Sequence, residues 1–60
     1  MKHIETTKGL NELLKRYLEA GADEYWIKTI KGCIKEGLAM DETDYENTPK
    51  ELRKLWKGLK

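Results

Sequence analysis

Residues 10–34 read LNELLKRYLEAGADEYWIKTIKGCI, and the fold turns on whether this stretch is one helix or two. Before Gly21, the apolar residues Leu10, Leu13, Leu14, Tyr17 and Leu18 recur at the spacing of a helix with one buried stripe. After Asp23, Trp26, Ile27, Ile30, Cys33 and Ile34 fall within a stripe of their own, while Lys28, Lys31 and Lys35 lie on the far side. Gly21 suits the left-handed residue that ends a helix, and Asp23 suits the cap that begins the next. So short a link predicts an antiparallel hairpin, with helices over Leu10 to Ala20 and Glu24 to Glu36.

Upstream, Thr7 is the expected N-cap, although Gly9 weakens the first turn. Glu12 with Arg16, and Lys15 with Glu19, stand four apart on the polar side and add a few tenths of a kcal/mol each. Residues 1–8 are left without an assignment: Met1 to Thr7 is polar and lacks a clear period, as a frayed end or a single short strand would. Downstream, Gly37 ends the second helix and Leu38 is placed to fold back on Cys33 or Ile34 in a Schellman turn.

Residues 39–47 read as an acidic loop, carrying Asp41, Glu42, Asp44 and Glu46 with no basic residue. A third helix is then expected over Pro49 to Lys57, begun by a capping box of Thr48, Pro49 and Glu51 and ended by Gly58. Its apolar residues Leu52, Leu55, Trp56 and Leu59 should cover the groove between the first two helices. The expected fold is therefore all-α: a single small three-helix domain over residues 1–60, built on an antiparallel helical hairpin plus a short C-terminal helix. Its expected core is Leu10, Leu13, Leu14, Tyr17, Leu18, Trp26, Ile27, Ile30, Cys33, Ile34, Leu38, Leu52, Leu55 and Trp56.

Composition agrees with this reading. Charged residues and apolar residues each make up 38% of the chain, a mixture that suits short amphipathic helices better than a disordered tail. Val and Phe are both absent, which favours helix over sheet. With 60 residues the core is barely sufficient to offset chain entropy, so homodimerisation through the hairpin is an open expectation. Cys33 is the only cysteine and no apolar run is long enough for a membrane span, which points to a cytoplasmic protein with no membrane partner.

Catalytic chemistry has no residues to carry it. His3 is the only histidine and has no second His or Cys at ligand spacing, so neither a metal nor a cofactor is expected. Cys33 lies on an apolar stripe, where a free thiol behaves as a small hydrophobe. The acids Asp41 to Glu46 lack the Gly and the final Glu of a calcium loop. The chain reads as a non-enzyme.

Binding has better candidates. Tyr25, Lys28, Lys31, Gly32 and Lys35 share the solvent side of the second helix, and Gly32 costs about 1 kcal/mol there relative to Ala. An aromatic, a glycine and lysines together suit a docking patch for a partner helix or an acidic surface. The leading expectation is a small regulatory or inhibitory protein, of the accessory type found in mobile elements, acting by protein–protein interaction. The alternative is a largely sequence-neutral DNA-binding regulator, since helix, Gly-containing turn, helix is also the outline of a helix-turn-helix. It would use the same lysines with a second basic patch of Arg53 and Lys57. The lysine face offers no Asn, Gln or Arg for bidentate base reading, and a net charge of +1 gives no global attraction to nucleic acid.

Overall fold

The computed structural model describes residues 3–59; Met1, Lys2 and Lys60 lie outside the described residues. It is all-α, as the sequence predicts, with α1 at Thr7–Glu19, α2 at Glu24–Glu36, α3 at Glu42–Asn47 and α4 at Lys50–Arg53, the last running into a 3-10 turn at Lys54–Trp56. The hairpin of α1 and α2 is the main packing unit.

α1 begins one residue earlier than its expected cap allows. Thr6, not Thr7, is the N-cap: its backbone is extended and its hydroxyl accepts the Gly9 N–H at 2.9 Å. The other end behaves as expected, with Gly21 at φ 71° and the Ala22 N–H donating to the Tyr17 carbonyl at 3.0 Å. α2 has its expected bounds and closes in the same way, Gly37 at φ 69° and the Leu38 N–H on the Cys33 carbonyl at 2.9 Å. Asp23 differs from expectation. It occupies the N-cap position without a side-chain cap bond, and its carbonyl instead accepts from Trp26 and Ile27.

The segment expected to be an acidic loop contains a helix. Asp41 and Asp44 form a reciprocal capping box, Asp41 N–H to Asp44 Oδ2 at 3.0 Å and Asp44 N–H to Asp41 Oδ1 at 3.1 Å. The acids sit in the first turn, where the helix dipole favours negative charge. Because α3 reaches Asn47, Thr48 cannot start a new helix: it is the C-cap of α3, buried, with its hydroxyl donating to the Asp44 carbonyl at 2.8 Å. The expected capping box of Thr48 and Glu51 therefore does not form. Pro49 is the N-cap, its carbonyl accepting from Leu52 and Arg53.

The final helix is also shorter than the expected Pro49 to Lys57. After Arg53 it tightens into the 3-10 turn, and Gly58 serves a different structure from the expected helix ending. Lys57 at φ −57°, ψ 129° and Gly58 at φ 80°, closed by the Leu59 N–H on the Trp56 carbonyl at 3.1 Å, make a type II turn. The turn packs on α1, where the Arg16 guanidinium donates to the Leu55 carbonyl at 2.7 Å and the Lys57 carbonyl at 2.9 Å. Arg16 also keeps its expected partner, with Nε 3.4 Å from Glu12.

Within the segment left without an assignment, Ile4 forms one antiparallel β-bridge, its N–H to the Met40 carbonyl at 2.8 Å and Met40 N–H to the Ile4 carbonyl at 3.0 Å. Both side chains are buried, and they join Leu10, Leu13, Tyr17, Ile30, Leu52 and Trp56 in the core. Each such apolar side chain contributes about 1.5–3 kcal/mol on full burial. Leu14, Trp26, Ile27, Cys33, Ile34 and Leu55 pack around this centre.

Two expected core residues are outside it. Leu18 and Leu38 are each 54% exposed. Leu18 lies roughly 100° round the helix from Tyr17, at the edge of the stripe. Leu38 closes its turn through its backbone N–H on the Cys33 carbonyl while its side chain faces solvent, and Met40, bridged to Ile4, is buried instead.

Candidate docking face on the second helix

The face is built by the helical period of α2. Ile30 is the fully buried residue of this helix, flanked by the partly buried Trp26, Ile27, Cys33 and Ile34. Turning the 3.6-residue period from that stripe to the opposite side brings Tyr25, Lys28, Gly32 and Lys35 together, with Lys31 on the margin. Tyr25, Lys28, Lys31 and Lys35 are exposed and Gly32 is half-buried.

Tyr25 is 65% exposed. Its ring is nevertheless positioned, standing edge-on to Trp26 at 4.8 Å between centroids and 86° between planes, a favourable arrangement for two aromatic quadrupoles. Gly32 is in mid-helix with no atom within 4 Å of where a Cβ would stand. Among the described residues, no packing neighbour therefore requires a glycine there. Lys28 reaches back to Glu24 at 3.4 Å, and both side chains are about three-quarters solvent-exposed, so the pair contributes at most a few tenths of a kcal/mol.

Sequence reasoning overlooked Thr29, which lies on this face between Tyr25 and Gly32. It is half-buried, and its hydroxyl donates to the Tyr25 carbonyl at 2.9 Å, so it offers no free donor. The signal was available in the same period that placed the lysines.

The second basic patch is not a unit. Arg53 is half-buried, with Nε donating to the Tyr45 carbonyl at 3.1 Å and the Thr48 carbonyl at 2.8 Å and Nη2 to the Glu46 carbonyl. It also stacks over the Tyr45 ring at 5.4 Å. Arg53 caps the C-terminal end of α3, satisfying carbonyls that the helix leaves without partners. Lys57 is exposed but stands apart from it, in the turn held by Arg16.

The remaining chemistry-bearing residues are quiet. Burial pushes the Cys33 thiol above its ordinary range, and the nearby carboxylates of Asp44 and Glu36 push it further, the reverse of what an activated nucleophile needs. His3 meets Glu5 at 3.0 Å. Among the described residues no group of three or more His, Cys, Asp or Glu is arranged to hold a metal ion, and no helix is long and apolar enough to cross a membrane. A shallow cleft beside Trp26 is lined by Ala22, Asp23, Pro49 and Leu52, between the hairpin turn and α4 and away from the lysine face. Compared with known proteins, the chain matches no family model, no curated protein and no solved structure.

Proposed function

We propose that the chain is a small non-enzymatic regulatory or inhibitory protein of the cytoplasm, which acts by binding another protein through the exposed face of α2. The observation that carries this reading is Gly32, a residue that weakens its own helix while no neighbour among the described residues needs the space. A glycine in that setting allows a second backbone to come close. Tyr25 supplies an aromatic anchor on the same face, already oriented by Trp26.

The DNA-binding alternative has less in its favour. Of the two residues that would extend the lysine row into a phosphate-tracking surface, Arg53 gives its guanidinium to the carbonyls of α3. A photo-crosslinking amino acid at Tyr25, with one at Lys50 on α4 as control, tests the proposal in cells that express the chain. A protein adduct formed from position 25, absent from position 50 and abolished by Gly32→Arg, supports it. Adducts of equal yield from both positions would sink it.

A further inference from the structure

We infer that the occupant of the α2 face is an amphipathic helix with a row of acidic residues along one edge; this rests on the reading of that face as a docking surface and names the partner's chemistry. Lys28, Lys31 and Lys35 follow one another at intervals of three and four, so they form a row along one edge of the face. Tyr25, Thr29 and Glu36 form the other edge, and Gly32 lies between the two. The face is thus a shallow seat with one edge of three lysines, headed by Glu24 at its N-terminal end, and one mixed edge.

Its floor selects a helix. The distance between packed helix axes is set by the side chains at the crossing point, and Gly32 contributes none. A flat acidic surface would gain nothing from that gap, whereas a helix crossing at Gly32 brings its own sides against both edges. The lysine edge is open to new partners: Lys28 has only the exposed pair with Glu24, and Lys31 and Lys35 have no ion pair among the described residues.

A second copy of the chain fits less well. In an antiparallel two-fold pair of α2 helices each edge meets its own copy, so Lys28 and Lys35 would oppose Lys35 and Lys28. Like charges placed opposite each other oppose association, and a partner with carboxylates on that edge reverses the sign. Duplex DNA, negative on every side, would also meet Glu36 on the opposite edge.

A displayed library of helical peptides tests the inference, each peptide carrying a fixed Ala/Leu stripe with Glu, Gln or Lys varied along both edges. It is selected on the wild-type chain and depleted on Gly32→Arg. Enrichment of Glu along a single edge is expected, with affinity falling about tenfold or more on the Lys28→Glu/Lys35→Glu chain and recovering when the peptide carries Lys there. If the Gly32→Arg-sensitive peptides instead carry Gln or Lys, the acidic partner is wrong and the docking face stands. If no peptide is sensitive to Gly32→Arg, both fall. Two parallel measurements assign the face elsewhere and overturn the inference: binding of labelled duplex DNA, or a concentration-dependent dimer in sedimentation, either one abolished by Gly32→Arg.

Discussion

The indole N–H of Trp56 donates to the phenolic oxygen of Tyr17 at 3.0 Å, across thirty-nine residues of chain and inside the core. Tyr17 is in turn hydrogen-bonded to the Thr48 side chain, whose hydroxyl donates to the Asp44 carbonyl at 2.8 Å. One chain of polar contacts thus runs from the C-terminal turn through α1 to the end of α3. Each buried donor in it has a partner, and the members polarise one another.

Tyr17→Phe keeps the ring and removes the acceptor, which leaves the Trp56 N–H unpaired in the core. A loss of about 1–3 kcal/mol is expected, measured as a lower urea midpoint with an unchanged slope. Trp56→Ala also removes the ring that stands edge-on to Tyr45 at 5.2 Å, and should cost about 3–5 kcal/mol, a large part of the stability of so small a domain.

Burial is the main reason that the Tyr17 hydroxyl titrates above its ordinary value of 10.0, partly offset by its bonds to Trp56 and Thr48. The folded state therefore holds this proton more tightly than the unfolded chain. The corresponding stability is complete below about pH 10 and is lost as pH rises through the raised value. The measurement is a difference that isolates this one hydroxyl: wild type should lose more unfolding free energy between about pH 9 and about pH 11 than Tyr17→Phe does.

Arg16 and Arg53 are expected to behave as structural cations. Arg16→Met frees the carbonyls of Leu55 and Lys57, and the expected loss is about 1.5 kcal/mol with faster amide exchange at Leu59. Arg53→Met should do the equivalent at the end of α3, exposing the carbonyls of Tyr45, Glu46 and Thr48. Lys57→Met, which removes charge but no such bond, is the control and should leave the melting temperature within about 2–4 °C.

Gly32→Ala should raise stability by about 1 kcal/mol, because the added methyl meets nothing within 4 Å and the helix gains propensity. For a domain of this size that is a rise of roughly 4–8 °C in thermal midpoint. A fall instead would mean that the glycine serves the fold itself.

The hairpin was legible in the sequence because its signals are local and mutually consistent: two apolar stripes of the same period, and Gly21 and Gly37 in the left-handed turns that close them. What escaped was decided at long range. Ile4 shows no alternation because a single bridge to Met40 needs none, and no local rule couples residues that far apart. In the segment Asp41 to Thr48 two local rules competed. The Asp41–Asp44 box claimed the chain first, and Thr48, equally able to start a helix, was left to end one. The placement of Tyr25, Lys28, Gly32 and Lys35 on one face was readable from period alone, whereas Arg53 looked basic and free until α3 supplied the carbonyls that engage it.

Ile4 and Trp56 are drawn from opposite extremes of the described chain, and both are sealed into the same core. No contiguous fragment that omits either residue has a closed interior, so the molecule should unfold as one unit with no surviving hairpin. Its lifetime in a cell would then be governed by how seldom the whole domain opens, and a protease that trimmed past either residue would release all of it at once.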